Sequence, residues 1–331
     1  MECCAGKGMK QRYVFGPVSS RRLGQSLGID PILGIDTIPL KTCNWNCVYC
    51  QLGRSRPMTN ERREYVPLDA LLEEAACALS RFAPGEIDWV TVVGSGEPTL
   101  YIRLGDLLRG LKALAPMPVA VITNGSLLYQ PEVREALLSA DAVLPSLDAG
   151  SPDLYRRVNR PLGELTFQRL VDGLMAFREM YTGSLWVEVM LLQDLNDSPE
   201  ALAEIGAWLA QIRPDRVDIT LPTRPPAEPW VRPASAENVL RAERLLGQAA
   251  RCVPERSLDL HIKPGADLGA VILALVTRHP VPVDELERTL GADDGARLHA
   301  ALQELLGSGQ ALFVERLGRR YLTAAGAYYA D

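Results

Sequence analysis

The chain has 331 residues and a mass of 36.2 kDa, with 47% hydrophobic and 23% charged residues and a formal net charge of −6. That length suits two domains, and a core of that size can be buried without disulfide staples. No run approaches the ~20 apolar residues a bilayer span needs and no signal-like stretch opens the chain, so a cytoplasmic protein with reduced thiols and no membrane partner is expected; the acidic balance argues against a protein built to grip a phosphate backbone.

Residues 1–33 read as an N-terminal extension. Its first eight residues, with Cys3 and Cys4, are short, polar and glycine-bearing, as in a frayed end. A turn-rich segment, Phe15-Gly-Pro-Val-Ser-Ser-Arg-Arg-Leu-Gly24, follows and carries the pair Arg21 and Arg22. From Gly34 apolar, β-branched runs alternate with helical patterns. Strands are expected at Thr37–Lys41, Trp89–Val93, Val119–Thr123, Ala142–Leu147, Leu185–Leu191 and Arg216–Leu221. Amphipathic helices are expected near Leu68–Phe82, Leu104–Ala113, Glu132–Ala140, Thr166–Tyr181 and Pro199–Gln211. Apolar strands with helical crossovers imply a parallel sheet covered by helices, here an α/β partial barrel over residues 34–222. In such sheets reactive residues collect at the strand C-terminal ends.

Residues 223–262 form a proline-rich linker and a helix (Ala236–Arg251), too stiff at first for helix or central strand. Residues 263–331 read as three helices (Leu268–Arg278, Val283–Leu290, Ala296–Leu306) and a hairpin turning at Leu317–Gly318, a winged-helix-like domain. Its third helix, Ala296–Leu306, has one arginine and one glutamate on an otherwise apolar segment, and the basic residues gather in the wing at Arg316, Arg319 and Arg320. Peptide or protein contact is therefore favoured as its role, with dimerisation and nucleic acid as the other readings.

The chemistry sits in Lys-Thr-Cys43-Asn-Trp-Asn-Cys47-Val-Tyr-Cys50-Gln, which packs three cysteines into eight residues. Three soft thiolates suit an iron–sulfur cube with one iron left for a non-protein ligand. An odd number of cysteines is poor for disulfides, and a structural zinc site wants four ligands, while the three histidines (His261, His279, His299) lie far downstream. Further clusters stand at the ends of the following strands: Gly94-Ser95-Gly96-Glu97-Pro98, Thr123-Asn124-Gly125 and Ser146-Leu147-Asp148. A redox sensor needs the cysteines but has no use for these other clusters.

These residues resemble the radical S-adenosylmethionine (SAM) superfamily, and within it the branch grouped with the wyosine-forming tRNA enzymes. The resemblance implies a partial (β/α)6 TIM-type barrel and a [4Fe–4S] cluster on Cys43, Cys47 and Cys50, with Tyr49 as the aromatic before the last cysteine. It implies that S-adenosylmethionine is held by Gly94, Ser95, Gly96 and Glu97 and by Thr123, Asn124 and Ser146, with Glu188 facing the ribose. It further implies an external electron donor of flavodoxin or ferredoxin type and hydrogen abstraction from a substrate, a peptide, protein or small molecule being favoured. Arg21 and Arg22, with Arg156 and Arg160, are the candidates for substrate contact, because guanidinium forks grip carboxylate or phosphate. The wyosine enzymes carry additional cysteines ahead of the barrel, and this chain offers only the adjacent Cys3 and Cys4 there. tRNA modification and a DNA-binding iron–sulfur regulator are the alternative functions.

Overall fold

Valine, isoleucine and leucine runs make the sheet, and amphipathic helices cover it. The computed structural model describes residues 13–32, 41–255, 257, 258, 260 and 267–327, without the side chains of 291–294. The described chain opens with strands β1 (Val14–Ser20) and β2 (Gly24–Ile29). It continues through α1 (Leu68–Leu79), β3 (Trp89–Val92), α2 (Leu104–Leu114), β4 (Val119–Thr123), α3 (Pro131–Leu137) and β5 (Ala142–Pro145). Next come α4 (Pro152–Val158), α5 (Phe167–Met180), β6 (Ser184–Met190), α6 (Pro199–Ile212), β7 (Arg216–Thr220), α7 (Ala236–Leu245) and β8 (Ala250–Cys252). The sheet order follows the chain order from β1 to β8; β1 and β2 pair antiparallel and every later pair is parallel. Because the order never reverses, the crossovers wind in one sense, as in a barrel, and the strand C-terminal ends share one rim.

Local chemistry explains the elements. In α2 the leucines at 104, 107, 108 and 111 recur at helical spacing and are fully buried, each stabilising by about 1.5–3 kcal/mol through transfer from water. The Thr166 and Ser198 side chains cap α5 and α6 by accepting from the Arg169 and Ala201 amides. One large apolar cluster packs the outer face of the sheet against the helices, and a smaller one of Leu23, Ala120, Ala142 and Leu144, with Trp89, Ile122 and Trp186 against it, lies on the sheet's other face.

The N-terminal region departs from the sequence expectation. The span Thr37–Lys41, read as the first strand, lies outside the described residues except for Lys41. The strand beside β3 is β2, within the residues read as an extension. Its sequence, Gly-Gln-Ser-Leu-Gly-Ile, lacks the β-branched run that marks the later strands. Gly28 stands opposite Phe15, whose ring fills the space a Cβ would need: it comes within 2.2 Å of that position. Similarly, the proline-rich linker and its helix lead into a further parallel strand, β8, which the sequence reading did not separate from the helix.

The C-terminal unit comprises α8 (Leu268–Val276), β9 (Val281–Pro282), α9 (Val283–Gly307), β10 (Ala311–Arg316) and β11 (Arg319–Ala324), with sheet order β10-β11-β9. The hairpin turns at Leu317 and Gly318, both at positive φ (49° and 74°), as a two-residue turn of this hand requires. Where two helices were expected, one 25-residue helix runs through, so the three-helix pattern of a winged helix is not met among the described residues. Glycine costs only about 1 kcal/mol within a helix, and burial of Leu286 and Leu298 on either side of the break holds this one continuous. The unit's core also packs against Val18, Leu258 and Leu260, which ties it to the edge of the barrel sheet. Among the described residues no helix is long and apolar enough to cross a membrane.

Candidate active site

The cysteine loop lies across the C-terminal rim of the sheet. Thr42 donates its amide to Ser95 O (2.9 Å) and accepts from the Glu97 amide at 3.0 Å, so the strip Gly94–Glu97 is laced to the residue before Cys43. Gly96 makes this possible: φ is +153°, and a Cβ there would lie 1.6 Å from the Thr42 carbonyl oxygen. The Val48 and Asn46 amides bond Val158 O and Arg160 O at 2.9 and 3.1 Å, pinning the loop's other side.

Cys43 and Cys47 are buried and Cys50 is half-buried. The Trp45 amide and Asn124 Nδ2 point at Cys43 Sγ from 3.4 and 3.8 Å, and Asn159 Nδ2 at Cys47 Sγ from 3.7 Å. Such N–H···S contacts are a usual support for cluster thiolates. Burial pushes the Cys43 thiol up to about 11 and raises Cys47 further, so without metal both stay protonated. Lys41 is buried beside them, with Nζ 3.0 Å from Gly53 O; burial opposes its charge, and attraction to the sulfurs of Cys50, Cys43 and Cys47 in their ionised form more than reverses that. This donor set fits a cube better than a single ion. Among the described residues no three His, Cys, Asp or Glu side chains converge on one point, as a mononuclear site requires, whereas a cube spreads its thiolates over separate irons.

The other predicted residues divide into groups. Glu97 is buried and its carboxylate is fully engaged: Oε1 accepts from the Thr99 amide (2.9 Å), the Thr99 hydroxyl (2.6 Å) and the Thr123 hydroxyl (2.5 Å), and Oε2 from the Asn124 amide (2.7 Å). Burial raises its pKa against those bonds. The Glu97 side chain joins two strand ends, and with Thr123 and Asn124 it forms a buttress beside Cys43. The Ser95 amide and hydroxyl bond Asp30 Oδ2 at 3.0 and 2.7 Å. Tyr49 donates to Asp148 Oδ2 at 2.6 Å, where Asn159 Nδ2 joins it at 2.7 Å and the Met190 amide reaches Oδ1 at 2.8 Å. Burial pushes Asp148 up to about 6 despite these donors. Ser146 forms an isolated parallel bridge with Glu188, next to Asp148.

A chamber of about 330 Å³ opens beside Cys50 and Tyr49 and is bounded by Arg21, Arg22, Glu188 and Arg224. The C-terminal unit closes its far side with His279, Pro282 and Glu285. Arg22 pairs with Glu188, and Arg21 bonds the Thr223 hydroxyl at 2.6 Å and Glu255 at 3.1 Å. Arg156 and Arg160 do not join them. They border a separate open cleft of about 420 Å³ with Asn46, Arg54 and Met58, where Arg156 pairs with Asp153, and Arg160 and Arg54 share Glu228. The reason is geometric: both follow β5 through α4, on the outer side of the cysteine loop.

The model for the "Radical SAM superfamily" matches residues 37–205, a span that takes in the cysteine loop and ends within α6. The chain belongs to the radical SAM superfamily. Members bind S-adenosylmethionine and a [4Fe–4S] cluster and cleave the former reductively. The chain is similar, at 37% identity over 91% of its length, to a Brachyspira hyodysenteriae protein described as GTPase Obg, of which the match spans 44%. A UPF0026 protein of Helicobacter pylori is 33% identical over 87% of this chain and 91% of its own. Among solved structures, a radical SAM methyltransferase from Sphaerobacter thermophilus shares the fold at a TM-score of 0.50 and 15% identity, covering 69% of this chain and 66% of that one.

Sequence reasoning missed several residues that organise the site. Lys41, Gln51, Arg224, Arg278 and His279 carry no motif. Gln51 Nε2 lies 2.9 Å from Arg278 O and 2.9 Å from His279 Nδ1, and its Oε1 accepts from Arg224 at 2.8 Å. Only adjacency to Cys50 hinted at Gln51.

Proposed function

We propose that this radical SAM enzyme holds its [4Fe–4S] cluster on Cys43, Cys47 and Cys50 and binds S-adenosylmethionine and substrate in the chamber beside Cys50. When bound, the cluster and S-adenosylmethionine supply the electron and the 5′-deoxyadenosyl group that abstracts hydrogen from the substrate. The chain's own residues provide the rest. Thr42 and the Gly94–Glu97 strip fix the loop, and the Glu97–Thr123–Asn124 buttress sets Cys43. Tyr49 and Asp148 set the loop's far end, and the C-terminal unit shields the chamber from water. Asn124 and Ser146 stand on the rim where a cofactor's polar groups are met.

One observation carries this reading. Three cysteines in one loop, with Cys50 half-buried at the wall of a chamber, leave one face of a cube open to a ligand. A regulator that senses oxygen through the cluster has no need of such a chamber. The tRNA-modifying reading gains little support from the wing: Arg316 bonds the Val231 carbonyl, Arg319 pairs with Asp284 and Glu285 at 2.7 and 2.8 Å, and Arg320 stacks on Phe313. A small molecule or peptide is the preferred substrate class, and a flavodoxin- or ferredoxin-like protein the electron donor. The test is anaerobic reconstitution with iron and sulfide, followed by incubation with S-adenosylmethionine and dithionite. The reading predicts 5′-deoxyadenosine, and its absence from protein with a full cluster contradicts it.

A further inference from the structure

The carboxylates that line the chamber, Glu188 and Glu285, and the exposed Glu255 beside it each have a cation or amide partner. Glu188 pairs with Arg22, Glu255 lies 3.1 Å from Arg21, and Glu285 takes Arg319 Nη2 at 2.8 Å and the Leu258 amide at 2.8 Å. That leaves Arg224, which comes from the proline-rich segment after β7. Among the described residues its guanidinium makes one hydrogen bond, from Nη1 to the Gln51 amide oxygen at 2.8 Å, and no ion pair. A guanidinium has five N–H donors. Gln51 is itself fixed from the other side by Arg278 O and His279 Nδ1, so the acceptor that Arg224 meets is neutral and held in place. Burial lowers Arg224 only to about 10, with Arg21 adding to the effect and Glu255 and Glu285 opposing it, so it is a cation at neutral pH. A guanidinium whose one hydrogen-bond partner is neutral leaves most of its donors unused, and an anion with two coplanar oxygens can take them.

We propose that Arg224 binds a carboxylate or phosphate group of the substrate and places that substrate beside Cys50. The assignment rests on the chamber being the place of the S-adenosylmethionine chemistry described above. Gln51 acts as a positioning residue, orienting the guanidinium relative to the cysteine loop it follows. S-adenosylmethionine carries a carboxylate of its own, so the experiment must separate the two sources.

The test uses the full chain, anaerobically reconstituted, with inorganic phosphate and succinate as probes in equilibrium binding. The proposal predicts that at least one probe binds saturably and that its affinity falls at least tenfold in Arg224→Gln. The Arg156→Gln variant, altered in the outer cleft, should bind it as the unmodified enzyme does. Arg224→Lys keeps the charge but loses the fork, and should weaken the probe at least threefold; it carries the comparison if Arg224→Gln does not fold. S-adenosylmethionine and its decarboxylated analogue should bind Arg224→Gln with equal changes. The proposal is overturned if neither probe binds saturably, or if both bind the Arg224 variants unchanged. It is equally overturned if Arg224→Gln loses tenfold for S-adenosylmethionine but nothing for the decarboxylated analogue, which gives Arg224 to the cofactor. Failure of the unmodified enzyme to produce 5′-deoxyadenosine strikes the functional reading instead and leaves the anion measurements standing.

Discussion

Arg278 Nε lies 2.9 Å from Asp30 Oδ2, an ion pair between the end of α8 and the end of β2 with both side chains almost wholly buried. The same carboxylate oxygen accepts from the Ser95 amide and hydroxyl, and Arg278 stacks over Phe15 at 4.7 Å. The C-terminal unit thus reaches through the barrel edge to the strip that laces the cysteine loop.

Removing one partner takes the counter-charge from a buried ion, which costs about 3–5 kcal/mol. Arg278→Ala is expected to lower the unfolding free energy by that amount, and removing residues 263–331 by at least as much. Arg278→Met combined with Asp30→Asn should recover most of the loss, because neither charge then remains. Denaturant titration with unchanged slope measures it; additive losses in the double variant would show that the two residues do not act together.

Gly96→Ala forces a Cβ to within 1.6 Å of the Thr42 carbonyl in a backbone conformation that L side chains rarely adopt. The expected cost is at least about 3 kcal/mol, together with a fall in iron bound per chain, since Thr42 precedes Cys43. Gly85, at φ +88° with open space around it, is the control: Gly85→Ala should cost only about 1–2 kcal/mol and leave iron content alone. Equal effects at the two positions would contradict the close approach as the reason for Gly96.

Much of this was legible in the chain. The later strands announce themselves as apolar β-branched runs, and the cysteine spacing marks the loop directly. Strand β2 was hidden because Gly24, Gln25, Ser26 and Gly28 dilute its only two apolar residues, Leu27 and Ile29, and Phe15 across the hairpin covers Gly28. Glu97 was visible as a polar residue at a strand end, but only the fold shows that Thr99, Thr123 and Asn124 consume its carboxylate. Arg278 and Asp30 stand 248 residues apart, and Arg224 lies in a proline-rich run that reads as linker. Such long-range pairings have no local period to betray them. Arg21 and Arg22 were singled out as a basic pair, yet the carboxylates that occupy them, Glu255 and Glu188, come from distant parts of the chain.

His279 is held neutral: burial, and then the positive charges of Arg224, Arg278, Arg21 and Arg22, depress its pKa well below the ordinary value. Above pH ~6.5 the imidazole is neutral in both folded and unfolded chains, and its contribution to stability is fully present. Below that pH the unfolded chain takes up a proton that the folded one refuses, so stability falls with acidification by at most about 1.4 kcal/mol per pH unit from this group. His279→Gln should flatten that part of the profile between pH 7 and 5, relative to the unmodified protein, in chemical denaturation across the series. A parallel profile for the two proteins would contradict the buried, cation-facing placement.

The most direct measurement is iron content and 5′-deoxyadenosine formation in the anaerobically reconstituted enzyme beside its Cys43→Ala, Cys47→Ala and Cys50→Ala variants. Cubane ligation by these three thiolates predicts about four irons per chain in the unmodified protein, with cofactor cleavage lost in each variant while Cys77→Ala and Cys252→Ala retain both. Undiminished 5′-deoxyadenosine from any of the three loop variants contradicts the assignment of the cluster to this loop.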